Sequence, residues 1–557
     1  MVPGSLFCYD RRSRTSSRFS GIFAAPHFET MRTTLGLWLM LSAFLSVSAQ
    51  TKTQRAEVQW GPEYSAKKDG GFGYVFDHNE DAVYMKLQLK KEAFIQKMGM
   101  DLRSQYKKVL PMKIGKDQHG LERLEVLGDR IAVFTSFFNK KTKTNELYVR
   151  LFNEADMSPV GSIRKVADIG DASRKWQGSF TVSISPDKEK ILVRLDQPYE
   201  KDEPERFKLQ VYSSELDPVW EQSITLPYPD KEFLVQGNLV DNDGSVIVIG
   251  TKYAEKAEAR ELKKEERPAY TYMLLTYDGS GDAETKAIEA GDKFLQDLTI
   301  TIPDQGDILC GGFYGKKGAS SQSGAFYMRL DRKTKAVVHE SFKEFSKEFI
   351  TQYMTEKEEE KATKKADKKG EEIELIQYDL DELIVREDGG VVMVGEQYRF
   401  YTTTVCTSSP NGGQSCRTVY HYVYNDIVVV NVDPDGNIEW ATKIPKRQHT
   451  TNDGGYFSSY AMTIKGDKMY FIFNDSGKNL FLKEGDRIAP FKITGKEALI
   501  TLATVEGDGT VHREALLAPE KGETITRPKA CVQTPDDKLF MFATRRDDYR
   551  FGLVNYE

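Results

Sequence analysis

Residues Asn425 to Trp440 read NDIVVVNVDPDGNIEW. An apolar β-branched run, a turn rich in Asp, Pro and Gly, and a second short segment describe two strands joined by a tight hairpin. The same order recurs as LQVYSSELDPVW at Leu209–Trp220, MLLTYDGSGDA at Met273–Ala283 and TLATVEGDGTV at Thr501–Val511. A second signature is an acidic or glycine turn that opens onto a short strand. It reads PDKEKILVRL near 186, DNDGSVIVIG near 240, PDQGDILCGG near 303, EDGGVVMVG near 387 and PDDKLFMFA near 535.

Together the two signatures define a repeating unit: strand A, turn, strand B, variable loop, strand C, turn, strand D. Units are expected at about 71–113, 118–167, 178–228, 231–290, 293–343, 379–446 and 455–515. The chain then ends on three strands, Lys529–Gln533, Leu539–Ala543 and Phe551–Tyr556. The segment AEVQWGPEY at Ala56–Tyr64 can supply the fourth, with Trp60 standing where Trp220 and Trp440 stand. The predicted fold class is therefore all-β, a single β-propeller of four-stranded blades closed by an N-terminal outer strand. Such closure leaves no exposed inner-sheet edge. Eight blades are expected. Seven is the alternative, because the first unit has weak turn signals. Mixed β-sandwich domains would leave the spare strands at each end without a role.

These patterns resemble the β-propeller superfamily broadly, and exported propeller-like proteins of Gram-negative bacteria in particular. The resemblance spans nearly the whole chain after residue 50. The Gly-His and Trp-Asp pairs of WD40 repeats are absent at regular spacing. What the resemblance implies is a fold, not a function.

In a four-stranded blade the A–B and C–D turns share one face, and the B–C loops and D–A connections share the other. The A–B and C–D turns here are mostly tight. Length accumulates in the B–C loops at QPYEKDEPER from Gln197, at Lys252–Tyr270, at Lys316–Gly324 and around CTSSPNGGQSC, and in the D–A connection at about 346–374. All of these belong to one face, and loops held by a rigid scaffold are where binding commonly sits. Ala254–Glu266 reads as a helix stopped by Pro268, and Glu356–Lys369 as a solvated helix or a disordered linker. Tyrosines approach the same face: Tyr253, Tyr314 and Tyr398 each follow a strand-B glycine by three, Tyr199 stands at an equivalent end, and Tyr270 closes the fourth unit's loop. Phe400, Tyr401, Tyr420 and Tyr422 enrich the sixth unit. Tyr199, Tyr253, Tyr270, Tyr314, Tyr398 and Tyr401 are the candidate binding residues. Tyrosine combines broad contact area with a polar handle. The competing reading is that these rings cap strand ends and pack on neighbouring blades.

Leu35–Val47 reads LGLWLMLSAFLSV between Arg32 and the small residues Ser48 and Ala49, the pattern of a secretory signal peptide. Residues 31–49 are read as that signal and residues 1–30 as a non-native upstream extension. A propeller of 508 residues then starts at Gln50. The 49 residues removed carry five basic and two acidic groups, so the formal charge moves from -6 to -9. Export to the periplasm, the envelope surface or the medium follows. No further apolar stretch of about 20 residues predicts a membrane span. The acidic balance disfavours nucleic acid as a partner. Cys406 and Cys416 flank a turn at Pro410–Gly413 and are expected to form a disulfide.

No HExxH, GxSxG or GxxxxGK[ST] motif occurs, and the seven histidines are scattered. Asp241, Asp243, Asp433 and Asp435 read as hairpin turns rather than calcium loops. No cofactor or metal is expected. The leading reading is an exported, non-enzymatic binding or scaffold protein that recognises a protein, peptide or glycan through its loop-rich face. An envelope hydrolase or lyase acting on polysaccharide or peptide is one alternative. A structural subunit of an envelope assembly is another.

Overall fold

The computed structural model describes residues 50–557, apart from 171, 174, 199–201, 282, 292, 304, 317–320, 370–374, 377, 409–413, 484, 494 and 519–524. The expected extension and signal peptide lie outside the described residues.

The described residues form eight antiparallel sheets of four or more strands, with two further two-stranded pairings. Seven of the eight follow chain order, their first strands at Gly71–His78, Gly120–Leu127, Ser179–Ile184, Phe233–Val240, Phe294–Leu295, Tyr378–Val385 and Ala461–Lys465. These are the expected units. The eighth joins the two ends of the described chain: Ala56–Ser65 pairs with Asp548–Tyr556, opposite Leu539–Arg545. A short outer strand, Gln50–Lys52, extends it.

The sixth sheet explains why its decisive stretch has no polar alternation. Val428, Val430 and Val432 pack into a core shared with the fifth sheet, and Ile427 and Val429 into one shared with the seventh. A strand covered on both faces reads as a continuous apolar run. Every core cluster is built this way, from two sheets adjacent in chain order; one joins Phe542 and Phe551 of the eighth sheet to Val83 and Met85 of the first. The turn after Val432 is closed by Asp433, whose carboxylate accepts from the Asn437 amide at 2.7 Å. Gly436 in that turn has φ +99°, and a Cβ there would lie 2.5 Å from the His339 ring of the preceding sheet.

Trp220 and Trp440 play the same part. Each indole covers a turn glycine of the following sheet, Gly279 and Gly509 respectively, and donates to a carbonyl of that sheet, Gly244 O and Gly507 O, both at 3.0 Å. Trp60 does not match them. It packs into the core shared with the preceding, seventh sheet and rests on Gly552 of its own sheet, under Arg550. The alignment of the three tryptophans holds for strand position but not for the direction of the ring.

Helix Lys256–Lys264 forms where expected and buries no residue. The described part of the 346–374 connection, 346–369, is more ordered than its composition predicts. Ser346 caps helix Lys347–Thr351, which seats Ile350 in the core of the fifth and sixth sheets, and the buried Lys443 ammonium donates to its Phe349 and Ile350 carbonyls. Thr355 and Glu358 then form a reciprocal cap on helix Glu356–Lys369.

Candidate functional site

Strands Val391–Ser408 and Gln414–Val432 are far longer than the others and stay paired from Val391↔Val432 to Ser408↔Gln414. Their inner halves belong to the sixth sheet. Their outer halves project beyond it as a two-stranded ribbon. Alternation sorts its side chains into two faces. One face carries the opposed pairs Tyr398–Tyr424, Phe400–Tyr422 and Thr402–Tyr420, with ring centroids 4.7 Å apart in the first pair, 5.2 Å in the second and 6.3 Å from Phe400 to Tyr420. Aromatic cross-strand pairs of this kind stabilise a ribbon by about 0.5–1.5 kcal/mol each. The expected disulfide, Cys406–Cys416, closes this face near the tip. The other face stacks Tyr401 on His421 at 4.4 Å, with the Arg399 guanidinium over Tyr401 and His421 Nδ1 3.0 Å from His449 Nε2.

The aromatic face runs down to a polar mouth built from the starts of several first strands. Lys529 lies over the Tyr424 ring at 4.6 Å. Asp297 of the fifth sheet accepts from the Leu380 amide of the sixth at 2.6 Å, and Tyr460, just before the seventh sheet, donates to Asp381 at 3.2 Å. Asp379 and Asp381 are open to solvent on one side and flanked by the charged and aromatic groups of neighbouring elements. Desolvation there raises both carboxyls, Asp379 to about 6, and the neighbouring charge of Glu396 adds to the rise. Burial also lifts Glu382 to about 7. Behind them Glu396 and Lys446 form a buried ion pair. Ser459 donates to the second Glu396 oxygen at 2.7 Å, and Gln448 holds the Ser459 amide at 2.7 Å. Further round, the Arg527 guanidinium lies over the Tyr456 ring at 4.6 Å, and both line a recess of about 170 Å³.

The six candidate tyrosines do not form one patch. Tyr199 lies outside the described residues. Tyr253 and Tyr270 face each other at the root of the helical loop; Tyr253 is exposed, whereas Tyr270 donates to Leu295 O at 2.7 Å, and burial pushes its hydroxyl up to about 12. Tyr314 is a correction: it is only 4% exposed and packs edge-on to Phe342, so it offers no ring to a ligand. At this strand end the ring lies in the core between the fourth and fifth sheets. Tyr398 and Tyr401 both stand on the ribbon but on opposite faces. Tyr398 is the one that joins a larger aromatic group.

The carboxylates of the mouth were not nominated from sequence. Their trace is YDLDELIV at Tyr378–Val385, where acids alternate with apolar residues in the innermost strand of a unit. Glu396 leaves a similar trace as a lone charge in VVMVGEQY.

No family model and no curated protein matches the chain. Solved structures that resemble it include the Dos1 propeller, with 9% identity and a TM-score of 0.42 over 89% of this chain and 95% of that one. The WD40 domain of SCAP from fission yeast aligns at 8% identity and a TM-score of 0.35, over 90% and 98%. A prolyl endopeptidase aligns at 11% and 0.36, over 86% and 53%. At these values the likenesses carry no functional argument. The broad propeller assignment stands on the four-stranded sheets and their packing in series.

Proposed function

We propose that this chain is a closed, eight-bladed propeller, exported from the cell, whose loop-rich face binds a protein, peptide or glycan without transforming it. The observation that carries this reading is the ribbon: five aromatic rings on one face of a stiff projection, leading into a mouth with both signs of charge. Aromatic surface held rigid on a scaffold binds with little loss of side-chain freedom. The cores linking each sheet to the next, and the eighth to the first, support the eight-blade ring.

The test is retrieval of envelope material by the immobilised chain beginning at Gln50. Replacing Phe400, Tyr420 and Tyr422 together by Ser should remove the retained partner. Unchanged retention refutes the face assignment.

One observation favours a second reading, an envelope hydrolase or lyase. Asp379 and Glu382 have raised carboxyls in the same mouth, as an acid catalyst working near neutral pH requires. Turnover in a screen of polysaccharides and peptides, abolished by Asp379→Asn, would favour it over binding alone.

A further inference from the structure

We infer that the free edge of the ribbon, Phe400–Cys406, is completed by an extended acidic segment of a partner polypeptide that pairs with it as an added strand. This rests on the binding face proposed above and specifies its occupant.

The ribbon has one border that is open along its whole outer half. Strand Tyr378–Val385 pairs with the inner half of Val391–Ser408 and ends opposite Gln397. Beyond that point, among the described residues, no strand pairs the outer side of 400–406. The opposite border of the ribbon is covered from Tyr420 inward: Gln448–Thr451 pairs with His421–Tyr424, and Asn452 bonds both the amide and the carbonyl of Tyr420.

The phase of the ladder shows which backbone groups face outward. Cys406 and Cys416 oppose each other with Cα atoms 4.0 Å apart, close to the about 4.5 Å of a non-hydrogen-bonded antiparallel pair. Residues in such pairs direct their N–H and C=O away from the partner strand. Stepping back by two, Thr404, Thr402 and Phe400 share that phase. Tyr420, opposite Thr402, supplies an independent check, because its backbone groups are the ones that reach outward to Asn452. The edge therefore presents donors and acceptors on Phe400, Thr402, Thr404 and Cys406 at a repeat of about 6.8 Å, the spacing an incoming strand needs. Neither proline nor lysine guards it. The disulfide across the tip stiffens the ribbon, so less ordering remains for binding to impose.

Charge selects the occupant. Residues 398–424 contain no Asp or Glu. Arg399 and Arg417 are exposed on one face, and the exposed Phe400 and Tyr420 rings stand on the other. A strand alternating acidic and apolar residues places its carboxylates on the arginine face and its apolar groups beside the rings.

The experiment measures fluorescence anisotropy of the chain from Gln50 with a labelled peptide alternating Glu and Val. Its companions are a Lys–Val version, a Glu–Val version N-methylated at alternate residues, and a polyuronate oligosaccharide. The Glu–Val peptide should bind, and the Lys–Val and N-methylated peptides should each bind at least about tenfold more weakly. Thr404→Pro, which removes one outward N–H and leaves the ribbon's own ladder intact, should weaken Glu–Val binding similarly. Arg399→Glu with Arg417→Glu should reverse the preference between Glu–Val and Lys–Val. Equal binding of the N-methylated peptide, no charge preference, or binding of the oligosaccharide alone overturns the added-strand inference. In those cases the face reading survives if replacement of Phe400, Tyr420 and Tyr422 still abolishes envelope retention, and falls with it if retention is unchanged. Should Thr404→Pro disturb folding, the N-methylated peptide decides the question on the unaltered protein.

Discussion

Replacing Lys446 by Met should destabilise the protein by about 3–5 kcal/mol, the cost of orphaning one member of a buried ion pair. The pair is closed to solvent, with Lys446 0% and Glu396 1% exposed. After the substitution, Glu396 keeps the Ser459 hydroxyl on one oxygen and loses the ammonium on the other. Gln448 loses a weaker donor at 3.4 Å but keeps the Ser459 amide. Met matches the length of the lysine stem, so packing changes little and the deficit is chiefly electrostatic. Glu396→Gln with Lys446→Met should recover most of it, because a buried pair replaced as a unit is close to neutral. Urea unfolding followed by tryptophan fluorescence gives the midpoint and slope from which the free energies are computed. Trp440 is a suitable reporter, since it lies on the same sheet and covers Gly509 of the next. A single-variant cost below about 1 kcal/mol, or a double variant no better than the single, refutes the reasoning.

Glu382 is raised to about 7 by burial, so the folded state holds its proton more tightly than the unfolded state does. Its contribution is fully present below the ordinary glutamate range and is lost as pH rises through about 7; Glu382→Gln should therefore leave stability at pH 4 nearly unchanged and raise it at pH 8 by at most about 3 kcal/mol, read as a shift in the urea midpoint. Gly436→Ala should cost more than about 1 kcal/mol, because the position needs both a positive φ and the space filled by His339; equal urea midpoints would contradict this. Replacing Cys406 and Cys416 by Ser should leave global unfolding nearly unchanged, since both stand in the solvated ribbon, while limited proteolysis between 399 and 423 speeds up.

What could be read from sequence divides along a physical line. Strand-turn-strand units were legible because hairpin turns need particular residues at particular places: Asp433 to hold an amide, Gly436 to take a positive φ. The fourth strand of the last sheet was legible as a strand left over, and it does pair across the two ends of the described chain. The direction of Trp60 was not, because alternation fixes that a ring leaves the sheet but not which of two equally apolar neighbours it meets. Tyr314 failed for a related reason. The same Gly-x-x-Tyr spacing buries one ring between sheets and leaves Tyr398 on a ribbon, and the difference lies in how far each strand runs past its neighbours. The mouth was hidden more deeply. Asp297, Asp379, Asp381, Glu396 and Lys446 come from three separate stretches of chain, and nothing local marks them as a group. Pairing within the sixth sheet brings Glu396 and Lys446 behind Asp379 and Asp381, and the packing of the fifth sheet against the sixth adds Asp297. The inner half of the ribbon obeys the apolar code of a covered strand and its outer half the Thr and Tyr code of an exposed one, so a single hairpin both completes a sheet and carries a surface away from it.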